Sequence, residues 1–150
     1  MTDPSFLPIA QSLLREGRSV RFAAGGQSMR PVIRDGDILT VAPFAGRGLF
    51  PGDVVMHLGL DGRYYVHRLL LPARGKAWFI KGDAMPGAPD RVPLADILGR
   101  VVLRERGGRQ VVFDSCRWRL AGVLLAAAAP LTIWLGPRWS QTRRRLHAPR

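Results

Sequence analysis

Apolar residues in the middle of the chain come in short runs, and glycine, proline or aspartate closes almost every one of them. Short runs rich in valine, isoleucine, leucine and aromatic residues predict strands rather than helices. The candidate strands are 20–24, 37–43, 53–58, 63–71, 77–81, 97–104 and 109–113. Asp61-Gly62 and Gly107-Gly108 fall between neighbouring candidates, where tight hairpin turns need residues that accept positive φ. Ahead of the strands the period changes. Phe6, Ile9, Leu13 and Leu14 share one helical face and Gly17 follows, which predicts a short amphipathic helix within 1–19. Thr2 or Asp3 is placed to cap its start, with Pro4 in its first turn.

Behind the strands the character changes again. Leu120 to Gly136 is a 17-residue stretch without a charge, at the lower edge of what spans a bilayer. Trp118, Trp134 and Trp139 lie near its ends, Arg117, Arg119 and Arg138 flank it, and membrane helices tolerate a central residue such as Pro130. A core helix of a soluble domain shows a polar face, and this stretch shows none, so a C-terminal apolar membrane helix is expected over 120–136. Arginine on both flanks leaves its orientation open. The expected architecture is mainly β. A coiled antiparallel sheet or partial barrel occupies 20–114, with a short amphipathic helix in 1–19 and an apolar helix with a basic tail in 115–150.

Composition narrows the partners. A hydrophobic content of 47% is enough for a packed core, which excludes disorder as the default. The net charge of +12 comes almost wholly from arginine, since Lys76 and Lys81 are the only lysines. Such a balance attracts nucleic acid or an anionic lipid surface. The arginines are scattered, apart from the run Arg143 to Arg145, and no nucleic-acid recognition motif accompanies them. Membrane lipid, met through the C-terminal segment, is therefore the expected partner, and nucleic acid is not. The single cysteine, Cys116, excludes an intramolecular disulfide, a cysteine-rich zinc site and a CxxC redox pair. His57 and His147 assemble no metal site, and neither metal nor cofactor is expected. Residues 6–14 form too short an apolar run, with no basic region ahead of them, to predict a signal peptide.

Three segments carry candidate chemistry. In the first, Gly26-Gln27-Ser28-Met29-Arg30-Pro31 is followed by Asp35-Gly36-Asp37. A serine nucleophile needs an exposed hydroxyl, nearby backbone donors for an oxyanion and a base within reach. Glycines ahead of Ser28 admit a substrate strand, while Pro31 and the Asp-Gly-Asp turn hold the chain after it. In the second, Gly52-Asp53-Val54-Val55 leads to Tyr64-Tyr65-Val66-His67-Arg68. Alternation places Tyr65, His67 and Leu69 on one strand face, and a histidine there suits general-base work at neutral pH. The third is Lys81-Gly82-Asp83 followed by Asp90, carboxylates of the kind that select a histidine tautomer.

Taken together, the order GxSMxP, GD, GDVV, YVHR, KGDA and then Asp90, followed by the Gly99-Arg100-Val101 strand, resembles the type I signal peptidases. More narrowly it is similar to the branch of archaea, endospore formers and the endoplasmic reticulum. That branch uses a serine–histidine pair where the common bacterial branch has a lysine before the arginine. The resemblance covers residues 20–104. It implies a coiled β-fold shared with the SOS-response repressors, and a peptidase in which Ser28 attacks the scissile carbonyl and His67 serves as base. It further implies that the Ser28 amide contributes to the oxyanion hole. Asp83 would orient His67, with Asp90 as the family's second acidic residue. Gly26, Gln27, Met29 and Pro31 would line the substrate site. Substrates would be signal or leader peptides with small residues before the cut, added as a strand to the sheet edge.

Two other classes compete with this reading. A self-cleaving repressor would need a DNA-binding helical domain ahead of Ser28 and a lysine base, and Lys81 does not stand at the equivalent place. A catalytically silent descendant would hold a peptide or partner at the membrane.

Overall fold

The computed structural model describes residues 6–44, 48–113, 115, 117–118 and 120–124. Helix α1 spans Phe6–Arg15 and strands β1 to β8 follow it: Val20–Ala23, Ile38–Ala42, Val54–Leu58, Tyr64–Ala73, Ala77–Lys81, Asp90–Pro93, Ile97–Arg106 and Arg109–Val112. All strand pairs are antiparallel, in the order β1-β2-β7-β3-β4-β5-β6, with β8 pairing β7. The mainly β expectation holds, and the sheet is open, with β1 and β6 at its ends. Register shifts fall at Thr40/Val41, Met56/His57 and between Leu69 and Leu71. Irregularities of this kind bend a strand and increase its twist.

Strand β6 is absent from the sequence-based expectation. It has four residues, only Val92 is buried, and Pro93 ends it. Proline is confined to such edge positions because it cannot donate to a ladder.

Helix α1 ends as the sequence requires. Gly17 has φ +80°, its amide donates to Leu14 O, and the Arg18 amide donates to Leu13 O. This is a Schellman closure, whose left-handed residue is most readily glycine. The buried face differs from the expected one: Ala10 and Leu14 are buried, whereas Ile9 is 57% exposed. Phe6 packs with Phe22 and Tyr64, centroids 5.3 Å away from each, which turns the helix so that Ile9 faces outward.

The core lies on both faces of the sheet. Ala10, Leu14, Leu39, Val41, Val54, Met56 and Val101 belong to one cluster, and Val55, Leu69, Ile80, Val92 and Ile97 to the other. Strand β3 lies between β7 and β4, and all of 54–57 is buried. A strand covered on both faces reads as a continuous apolar run. Gly99 lets the layers approach: a Cβ there would sit 2.7 Å from Val41 Cγ1, 2.9 Å from Ala42 O and 3.1 Å from Leu14 Cδ2. Gly99→Ala is accordingly expected to destabilise the protein by about 1–3 kcal/mol through overpacking. An unchanged urea midpoint would show that β2 and the helix both give way freely.

Residues 117, 118 and 120–124 are helical, Trp118 stacks on Phe113 with centroids 5.3 Å apart, and Gly122 lies against Gly52. The apolar helix expected over 120–136 lies outside the described residues beyond 124. Among the described residues no helix is long and apolar enough to cross a membrane.

Candidate active site

Ser28 sits in a loop that the rest of the molecule pins. The loop is closed at its base, where the Ala24 amide donates to Asp37 O at 2.7 Å and the Gly36 amide to Ala24 O at 2.9 Å. Inside it, the Gly26 amide donates to Asp35 Oδ1 at 2.9 Å, and the Ile33 amide closes a helical turn onto Met29 O. Met29, Val32 and Ile33 are buried in the core. From below, Arg106 binds the Asp37 carboxylate through two bonds, of 2.6 and 2.7 Å. Burial alone raises the Asp37 pKa, but the Arg106 hydrogen bonds hold it below the ordinary carboxylate value. Arg104 and Arg106 both donate to Val32 O. Pairing β7 to this loop through arginines makes it a fixed platform rather than a plain surface turn.

The loop opens onto a cleft of about 730 Å³ whose wall includes Gly25, Gly26, Ser28, Met29, Asp35, Tyr64, Tyr65 and Val66. Of the residues expected to meet substrate, Gly26 and Met29 line this cleft, whereas Gln27 and Pro31 are exposed and outside its wall. Among the described residues the Ser28 amide has no acceptor.

On its far side Ser28 meets the turn 82–84. The Ala84 amide donates to Ser28 O at 2.8 Å, and a Cβ on Gly82 would lie 2.7 Å from that same oxygen. The Lys81-Gly82-Asp83 segment therefore needs glycine for close approach to the serine loop. Asp83, expected to orient His67, makes no hydrogen bond to it; Arg68 takes its carboxylate, Nε at 2.8 Å and Nη2 at 2.7 Å. Arg68 is 2% exposed and also donates to Gly52 O at 2.8 Å. One side chain thus ties the 82–84 turn, the Gly52 turn and β4 together. Lys81 faces Arg68 across the β4–β5 pair and buries an ammonium that makes no hydrogen bond.

His67 is buried at 4% exposure. The β3–β4 register pairs Val55 with His67 and His57 with Tyr65, so His57, Tyr65 and His67 share a face. Their rings meet: Tyr65 stacks on His67 with centroids 5.7 Å apart and on His57 at 5.9 Å. His57 Nε2 lies 3.2 Å from His67 Nδ1, and His57 Nδ1 lies 3.2 Å from Leu58 O. Among the described residues His67 Nε2 has no hydrogen-bond partner, so no bond joins it to Ser28 Oγ. Tyr65 is among the residues lining the Ser28 cleft, and its ring stacks on the His67 imidazole.

Burial lowers the pKa of both histidines. His67 falls to about 4, through burial first and the neighbouring His57 second, with Asp90 and Asp83 opposing. Burial likewise holds His57 below its usual value, against the carbonyl of Leu58 and the charges of Asp90 and Asp96. Asp90 is exposed at the start of β6, opposite Ile80, and reaches the histidines only through space. No group of His, Cys, Asp and Glu suited to a metal ion occurs among the described residues.

His57 is the residue that sequence reasoning missed. Its signal was available in the hairpin: once Asp61-Gly62 is the turn, 57 and 67 have the same parity and fall on one face of the ribbon. No family model matches the chain, and no curated protein matches it.

Proposed function

We propose that the protein is a serine endopeptidase of the signal-peptidase kind, cleaving signal or leader peptides with Ser28 as nucleophile and His67 as base. The observation that carries this reading is a buried imidazole nitrogen, His67 Nε2, without a partner among the described residues, on the strand whose Tyr64, Tyr65 and Val66 line the Ser28 cleft. A buried polar atom without a bond is costly, and a catalytic role is one physical reason to keep it. The free Ser28 amide supplies a donor for the oxyanion, and the pinned loop keeps that donor in place. The Ser28–His67 hydrogen bond forms when an extended peptide fills the cleft, since catalytic bonds are often long before substrate binds. Phe22, Met29, Ile33 and Val66 give the cleft apolar wall suited to small apolar side chains. The three register shifts favour a coiled sheet of the signal-peptidase type. Membrane attachment through 120–136 belongs to the same reading, and Leu120 and Leu124 are 67% and 70% exposed. Asp83 serves this site by position, through Arg68 and the 82–84 turn.

Incubating the detergent-solubilised protein with short peptides and following products by mass spectrometry tests the reading. Cleavage after small residues is expected, with a rate loss of about 10⁴-fold or more in Ser28→Ala, whose fold is unchanged. Equal cleavage by Ser28→Ala and wild type would exclude Ser28 as nucleophile.

The missing Ser28–His67 bond favours one second reading, a peptide- or partner-binding module without turnover. Peptide that binds in the cleft and emerges uncut at every pH from about 5 to 9, across the range where a neutral imidazole acts as base, would establish it.

A further inference from the structure

The two buried histidines form a directed chain of hydrogen bonds whose polarity can be worked out. Leu58 O only accepts, so its 3.2 Å contact with His57 Nδ1 requires a proton on that nitrogen. A neutral imidazole carries one N–H, which leaves His57 Nε2 as an acceptor. The 3.2 Å contact between His57 Nε2 and His67 Nδ1 then requires His67 Nδ1 to be the donor. His67, in turn, keeps its lone pair on Nε2, the nitrogen without a partner. Burial lowers the pKa of both rings, which favours the neutral form of each at pH 7 over a doubly protonated one.

We infer that His57 is the positioning residue of this site, holding His67 in the Nδ1–H tautomer and presenting its Nε2 lone pair as the base. A carboxylate commonly fills this role, and Asp83 is bound to Arg68 instead. A neutral imidazole backed by a carbonyl fixes the same tautomer without placing a negative charge in an apolar face. The neighbours of the pair are Tyr65, stacked on both rings, and Val55, opposite His67 in register. Tyr65 keeps its own hydroxyl away from the pair by donating to Asp61 at 2.6 Å. Ring packing and hydrogen bonding thus agree on a single orientation for His67.

The catalytic meaning of this assignment rests on the peptidase reading, but the tautomer does not, and the test separates them. Long-range ¹H–¹⁵N spectra of the full chain report which ring nitrogen of His67 carries the proton. The wild type is expected to show Nδ1–H with an unprotonated Nε2. His57→Gln keeps a side-chain carbonyl as acceptor and is expected to preserve that tautomer. His57→Leu offers none, and the Nε2–H form is expected to become prominent. With peptide substrate, His57→Leu should lower kcat about 100-fold with little change in KM, while His57→Gln recovers most of the rate. An Nε2–H tautomer in the wild type overturns the inference, as does an unaltered tautomer in folded His57→Leu. If the tautomers behave as stated and no peptide is cut, the His57 assignment stands and the peptidase reading fails.

Discussion

Asp83→Ala is expected to lower the unfolding free energy by about 3–5 kcal/mol, the effect of removing one partner from a buried ion pair. The magnitude follows from what remains. Arg68 is 2% exposed and would lose both charge-assisted bonds, keeping only its bond to Gly52 O. Lys81, buried and without a hydrogen bond among the described residues, faces Arg68 in register, so the deletion leaves two buried cations side by side and removes the carboxylate bound to one of them. Water cannot take over easily at that depth, and the desolvation of the guanidinium goes uncompensated. Urea denaturation of Asp83→Ala beside Asp83→Ala/Arg68→Met checks the cause. The double variant should regain much of the loss, because it removes the stranded charge. A single variant as stable as the wild type would mean that Arg68 finds another partner or reaches solvent. On the peptidase reading, activity should fall as well, because Ala84 holds Ser28 O from the same turn.

Acidification from pH 6.5 to 4 is expected to destabilise the folded protein by about 3 kcal/mol through His67 alone. Its folded pKa is about 4, against 6.5 when exposed. Within that window the unfolded chain binds a proton that the folded chain refuses, so the unfolding free energy rises with pH and falls on acidification. A drop from 6.5 to about 4 at about 1.36 kcal/mol per tenfold amounts to about 3 kcal/mol. His57 is lowered by burial too and acts in the same direction. Asp37 acts in a different window. Its pKa is lowered from 3.8, so its contribution is present above that value and is lost as pH falls below it. Unfolding midpoints at intervals between pH 7 and 4, in wild type and His67→Gln, make the measurement. The slope should be steep in the wild type and shallower in the variant. A flat wild-type profile would show that His67 is reached by water. The peptidase reading adds a kinetic counterpart: a base of pKa about 4 stays unprotonated to low pH, so the acid limb of kcat/KM lies near 4.

How legible this site was depended on the range of the interactions that build it. Ser28 and His67 were visible as candidates because a glycine-flanked serine loop and a strand histidine are each written in neighbouring residues. The commitment of Asp83 to Arg68 was not, because the sequence marks both residues without saying which carboxylate meets which cation. The cleft wall was half visible. Gly26 and Met29 line the cleft, but Gln27 and Pro31 are exposed outside its wall, which local sequence does not determine. Asp90 stayed at a distance, since β6 ends the sheet and leaves its side chain in solvent.

By itself, the sequence determined the strands β1 to β5, β7 and β8, the helix and its Gly17 closure, and the Asp61-Gly62 and Gly107-Gly108 turns. These follow from period, turn chemistry and capping, which act within a few residues. Tertiary structure alone decided the strand order, the edge strand β6, the outward Ile9, the Arg106 clamp on Asp37 and the Arg68 clamp on Asp83. It also decided the meeting of His57 with His67. Each of those depends on surfaces far apart in the chain competing to exclude water or to pair a buried charge. That competition is settled only when the two faces of the sheet are filled.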